Sequence, residues 1–233
     1  MIKAVSFDGD DTLWSFDDMM RQALASTLTL LEEMTKKKSI FTVGEVIMLR
    51  NGVEAERGPL NPRNTVEGIR RESFRRVAKL SGLDGQISGD KLTEHYFEVK
   101  TQVGTLFPEV EPVIQQLRAS FRVGEITNGN HSPAVFGSDV KLDFIVMAQD
   151  IGIGKPDAEI FEHAARLAGC DVTEMMHVGD SLESDVAGAN GVGAVSIWFN
   201  PAGLENDLRV RPDYEIRSLS EIPEILDAHQ DDR

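Results

Sequence analysis

A short apolar run that breaks into clustered acid constrains this chain more than any other stretch. Ala4, Val5 and Phe7 read as a buried strand, and Asp8, Asp10 and Asp11 follow at once around Gly9. Carboxylates this close repel one another unless a cation or a shared proton offsets their charge, so the cluster reads as a site for a hard metal ion. A solvated acidic turn fits the same residues, since Gly9 and Asp11 suit a turn. The remainder of the chain must decide between the two.

The 233 residues suffice for one large domain, or for a core domain with a smaller insert, without disulfides. Cys170 is the only cysteine, which fits a reducing compartment. The first strand begins at residue 2, with no basic leader or long apolar stretch before it, and a cytoplasmic location is expected. A formal net charge of -15 repels polyanions, which argues against nucleic acid or an anionic membrane as partner. The same field opposes a small phosphorylated ligand unless a cation, a lysine and oriented backbone N–H groups support it locally.

Residues 15–105 carry helical patterns and almost no strand signal. Met20, Leu24, Leu28 and Leu31 keep helical spacing, Thr42 with Glu45 starts a second helix, and Val66 to Leu80 and Leu92 to Val99 suggest two more. Gly58 to Pro62 reads as a loop. Lys36, Lys37 and Lys38 read as a solvated cap at the C-terminal end of the first helix. From Phe107 onward helices alternate with short apolar strands, at Val123–Thr127, Phe144–Met147, Met175–Val178, Val195–Phe199 and Tyr214–Ile216. Such alternation predicts an α/β fold, a doubly wound parallel sheet that includes the opening strand. The expected core is then 1–14 with 106–233, and 15–105 is an inserted helical domain. Asp227 to Arg233 read as a frayed end.

In open α/β sheets ligands bind beyond the carboxyl ends of the strands. The residues placed there form a coherent set. Asp8, Asp10 and Thr12 follow the first strand; Thr127-Asn128-Gly129 the second; Gly154-Lys155-Pro156 the third; Gly179-Asp180-Ser181 and Asp185 the fourth. These stretches, in this order, resemble the motifs of the haloacid dehalogenase superfamily of phosphohydrolases, and the insert sits where that family carries a helical cap.

The resemblance implies an Mg²⁺-dependent phosphatase of small phosphorylated metabolites. Asp8 would attack phosphorus and form an aspartyl-phosphate. Asp10 would protonate the leaving oxygen and later activate water. Asp8 and Asp180, with the backbone carbonyl of Asp10, would hold Mg²⁺, with Asp185 and Thr12 in supporting positions behind them. Thr127, Asn128 and Lys155 would bind the phosphoryl oxygens. Trp14, Phe16 and Asp17 are candidate gate residues.

Two other activities deserve weight. Haloacid dehalogenases attack carbon and lack an aspartate at the position of Asp10, which favours the phosphatase. Receiver modules accept phosphate on an aspartate, but they are shorter and carry the acceptor on an inner strand. Gly154-Lys155 makes a poor Walker loop, because Pro156 stands where a hydroxyl is needed. The five histidines are scattered singly and receive no catalytic role. Glu125, a charged residue inside a predicted strand, leaves that strand's register open.

Overall fold

A computed structural model describes residues 1–58, 64–206 and 208–231. The chain divides into two compact units, Met1–Ser15 with Leu106–Arg233, and Phe16–Thr105.

The first unit is built on six strands, β1 (Ala4–Phe7), β2 (Arg122–Thr127), β3 (Phe144–Met147), β4 (Met175–Gly179), β5 (Val195–Phe199) and β6 (Tyr214–Ile216). All five pairings are parallel, in the order β3-β2-β1-β4-β5-β6. Every residue of β1, β4 and β5 is buried, as expected where helices cover a parallel sheet. From β1 the chain builds outward through β2 and β3, then crosses back to β4 on the other side. The ends of β1 and β4 therefore border the crevice at which open α/β sheets bind ligands.

The helices of the chain are α1 (Phe16–Thr35), α2 (Val43–Arg57), α3 (Val66–Leu80), α4 (Gly85–Val103), α5 (Val110–Leu117), α6 (Ala148–Ile151), α7 (Ala158–Ala168), α8 (Ala187–Val192) and α9 (Ile222–Asp231). In the core, α7 starts where the Asp157 carboxylate accepts from the Glu159 N–H. Its apolar stripe, Ile160, Phe161, Ala164, Ala165 and Ala168, packs on Ile126, Phe144 and Val146 of the sheet.

Helices α1 to α4 make the second unit, whose interior is formed by Leu24, Leu31, Val46, Phe74, Leu92 and Tyr96 among others. Thr42 and Glu45 form the reciprocal cap expected of them. Of the loop read at Gly58 to Pro62, only Gly58 lies within the described residues.

The sequence reading needs amendment at the C-terminus. Helix α9 continues through Asp227 to Asp231, a stretch read as frayed, because Ile222 and Leu226 on its inner face are buried. No helix among the described residues is long and apolar enough to cross a membrane.

Phe161 is 1% exposed and Leu167, on the same helix, 49%. Phe161→Ala should lower stability by about 3–5 kcal/mol through transfer and cavity terms, and Leu167→Ala by no more than about 0.5, as read by denaturant unfolding.

Candidate active site

The site assembles from the ends of four strands. Asp8 extends β1 by one residue, its N–H donating to Val178 O at 2.8 Å, so its carboxylate emerges at the sheet's carboxyl edge. Asp180 follows β4 directly, and the indole N–H of Trp198 in β5 holds its carbonyl at 2.9 Å. The chain then makes one wide helical turn, Leu182–Val186, anchored by the apolar packing of Leu182 and Val186 on Trp198. That turn sends Asp185 back beneath the strand end, where its Oδ2 accepts from the Ser181 N–H at 3.0 Å.

Lys155 reaches the same place from the loop after α6. Its backbone is clamped by one side chain: Asn128 Oδ1 accepts from the Lys155 N–H at 2.8 Å, and Asn128 Nδ2 donates to the Lys155 carbonyl at 3.0 Å. The ammonium lies 2.6 Å from Asp8 Oδ1 and 2.6 Å from Asp185 Oδ1, with its side chain 1% exposed. Carboxylate oxygens of Asp8, Asp180 and Asp185 all lie within 4.8 Å of one another.

One ammonium facing three carboxylates leaves negative charge in excess. Burial, with Asp185 nearby, pushes the Asp8 carboxyl up to about 8 against the pull of Lys155. Burial and the charges of Asp185 and Asp11 push Asp180 up to about 7. Burial also opposes charge on Asp185 and Lys155, but here their contact prevails, holding Asp185 below the usual carboxylate range and Lys155 above the usual lysine value. The cluster is thus all-oxygen, largely buried and overcharged, which is the chemistry of a hard divalent-cation site.

Behind Asp185 stands a residue that sequence reasoning passed over. His177 Nε2 lies 3.1 Å from Asp185 Oδ1 and its Nδ1 2.9 Å from Ser6 Oγ, with Phe161 edge-on to the ring. Burial pushes the imidazole below its ordinary value, so it is neutral at pH 7. A carboxylate only accepts, so the proton sits on Nε2 and Ser6 donates to Nδ1. Spacing along the chain could not reveal this line. The one available signal was that Ser6 and His177 are polar positions in apolar strands, and they pair in register between β1 and β4.

The structure thus brings Asp8, Asp180, Asp185 and Lys155 together. The Asp185 carboxylate is engaged by the Lys155 ammonium, by His177 and by the Ser181 N–H. Both ends of the Asn128 amide engage the Lys155 main chain, leaving one amide hydrogen outside that clamp. Thr127 Oγ1 accepts from the Gly129 N–H at 2.8 Å, which shapes the turn after β2. Thr12 is fully buried in the loop after Asp8, where its N–H donates to Gly9 O at 3.2 Å and its hydroxyl finds no partner among the described residues. The Asp10 side chain is held by Trp14, whose indole N–H donates to Oδ1 at 2.8 Å. Trp14 is 1% exposed, with its indole N–H directed to Asp10.

Glu125 occupies an inward position of β2 opposite Phe7 and is fully buried. Neither carboxyl oxygen has a hydrogen-bond partner among the described residues. It fits because Gly9 has no side chain: a Cβ there would lie 2.6 Å from Glu125 Oε1. Burial first, then the charges of Asp8 and Asp10, hold its pKa well above the ordinary glutamate value.

Comparison with known proteins agrees with this architecture. The family model of haloacid dehalogenase-like hydrolases matches residues 2–193, and the chain belongs to that family. It is 25% identical to pyrimidine 5'-nucleotidase YjjG of Escherichia coli (strain K12), covering 97% of this chain and 98% of the relative. It is 28% identical to glyceraldehyde 3-phosphate phosphatase of Methanopyrus kandleri, covering 97% of each. Among solved structures, a 2-haloacid dehalogenase from Pseudomonas syringae pv. Tomato DC3000 superposes with a TM-score of 0.83 at 34% identity, covering 98% of this chain and 99% of that one.

A buried carboxyl with a raised pKa adds no pH-dependent cost below the unfolded value, where both states are protonated. As pH rises above roughly 4.3, the unfolded chain releases the proton and the folded chain keeps it, so stability falls by up to about 1.4 kcal/mol per unit until the folded pKa is reached. Glutamine does not titrate. Glu125→Gln should therefore gain stability relative to the parent, increasingly so with rising pH, in thermal melts run in EDTA; a gap independent of pH would place a charged Glu125 in the folded state.

Proposed function

We propose that this chain is a phosphatase of small phosphorylated metabolites that works through an aspartyl-phosphate on Asp8. The observation that carries the proposal is the meeting of Asp8, Asp180 and Asp185 around one buried Lys155. A nucleophilic carboxylate and a phosphate monoester are both anions and approach only where positive charge awaits them.

Mg²⁺ would be held by the carboxylates of Asp8 and Asp180 and by the Asp10 carbonyl, and when bound it supplies charge neutralisation and polarises the phosphoryl group. Lys155 keeps Asp8 oriented and offers its ammonium to a phosphoryl oxygen. Asp185 holds Lys155, and His177 in turn holds Asp185. The Thr127 hydroxyl accepts from the Gly129 N–H of its own turn, so its own hydrogen is available to the phosphoryl group. Asp8 attacks phosphorus while Asp10 gives a proton to the departing oxygen; Asp10 then takes a proton from the water that cleaves the acyl phosphate. Specificity for the leaving group would come from the helical unit acting as a cap.

The likeness to a 2-haloacid dehalogenase gives a second reading a definite footing. Displacement of halide from carbon needs neither a proton donor for the leaving group nor a cation to offset phosphate. Asp10 and the overcharged carboxylate cluster would then have no work to do, and the phosphatase reading is preferred for that reason.

Phosphate release from a panel of phosphorylated metabolites should require added Mg²⁺, vanish with EDTA, and fall by at least about 10³-fold in Asp8→Asn. Chloride release from 2-chloropropionate without phosphate release from any ester would reverse the choice between the two activities.

A further inference from the structure

We propose that Trp14 is a positioning residue for proton transfer, fixing the Asp10 carboxylate by one oxygen so that the other carries the proton to the leaving group. This rests on the phosphatase reading and extends it to a residue outside the motif set.

The loop after β1 folds back on itself to place the indole. Leu13 N–H donates to Gly9 O at 2.8 Å, and Asp11 N–H donates to Trp14 O at 2.8 Å. Asp11 takes a left-handed conformation, with φ 58°, at the point of reversal. The indole then lies over Gly9, where a Cβ would come within 2.6 Å of Trp14 Cη2. Phe136 holds it edge-on from the other side, with centroids 5.0 Å apart, and His131 stacks on Phe136 at 5.9 Å. With its surroundings filled, Trp14 has one polar atom, and that atom donates to Asp10 Oδ1.

An indole N–H donates and never accepts. The C=O oxygen of a carboxyl is the better acceptor, so the bond from the indole favours Oδ1 as the acceptor and Oδ2 as the oxygen that carries the proton. The second oxygen faces the opposite way. A Cβ on Gly129 would lie 2.8 Å from Asp10 Oδ2 and 3.1 Å from Thr127 Oγ1, so Oδ2 borders the turn proposed to receive the phosphoryl group. Donation at Oδ1 and close backbone at Oδ2 together turn the proton-carrying oxygen toward the reaction. A buried indole N–H needs an acceptor in any case; what ties this one to the reaction is that its acceptor is Asp10, whose other oxygen borders the Gly129 turn.

General-acid help matters in proportion to the basicity of the leaving group. Trp14→Phe retains an aromatic ring and loses the donor. Its kcat/KM should fall by about 10-fold to 100-fold on phenyl phosphate and by less than about threefold on 2,4-dinitrophenyl phosphate, whose leaving group departs unaided. In an Asp10→Asn background the same substitution should have no further effect on phenyl phosphate, since residues acting as one unit are not additive. Replacement of Trp14 by β-(3-benzothienyl)alanine, which keeps the bicyclic shape without the N–H, should reproduce the dependence on leaving group even if the phenylalanine variant folds poorly. Equal losses on both esters, or additive losses with Asp10→Asn, would overturn the proposal and leave the phosphatase reading intact. A parent enzyme that hydrolyses neither ester nor any metabolite in the panel would remove both.

Discussion

The buried ammonium of Lys155, shared between Asp8 and Asp185, is the contact on which the active end of the sheet depends. Moving three charged groups out of water is expensive, and their mutual attraction repays it only with short contacts and satisfied remaining atoms. Both conditions are met, with 2.6 Å on each side of the ammonium and with Ser181 and His177 bonded to the far carboxylate. Such an arrangement is a weak source of net stability and a strong constraint on geometry. Removing any one partner strands a buried charge, commonly at about 3–5 kcal/mol. The crossovers of the sheet that deliver residues 8, 155 and 185 to one point are thereby locked to a single register.

That contact also accounts for the uncompensated negative charge beside it. Lys155 satisfies the charge of one carboxylate, and Asp185 has the better claim because His177 supports it as well. Asp8 and Asp180 are left with pKa values raised to about 8 and about 7. A protonated nucleophile is a poor one, so the bare cluster is set against its own chemistry at neutral pH. On the proposed reading, a divalent cation at these oxygens would favour the anionic form of both and would offset the charge of an incoming phosphate.

The parts of this molecule legible in the sequence are those written in local pattern. The strands at Phe144–Met147, Val195–Phe199 and Tyr214–Ile216 have the bounds that their apolar runs predict, and Thr42 with Glu45 caps α2 as spacing alone foretells. Acids, a lysine and a Thr-Asn-Gly turn at strand ends are likewise visible along one chain. What stayed hidden depends on pairs brought together by register or by chain reversal. Ser6 and His177 are 171 positions apart and become partners only when β1 lies beside β4. Glu125 reads as an error in a strand until Gly9 is seen to leave room for it. Asn128 has the composition of a ligand group, and only the approach of the Lys155 backbone makes it a strut.

The division of labour between Asp8 and Asp10 follows from the same geometry. Two aspartates separated by a single glycine would be chemically equivalent in an extended chain. Here the strand ends at Asp8, which faces the buried ammonium, whereas the loop reverses through Asp11 and turns the side chain of Asp10 to the indole of Trp14. One carboxylate meets the Lys155 ammonium, the position proposed for the nucleophile; the other meets a neutral donor on one oxygen, which suits it to the proposed proton transfer. Gly9 is the residue that permits this, because both the indole and Glu125 Oε1 press on the place its side chain would take. The different surroundings of Asp8 and Asp10, from which their proposed roles follow, are therefore set by a backbone reversal and an absent side chain and not by residue type.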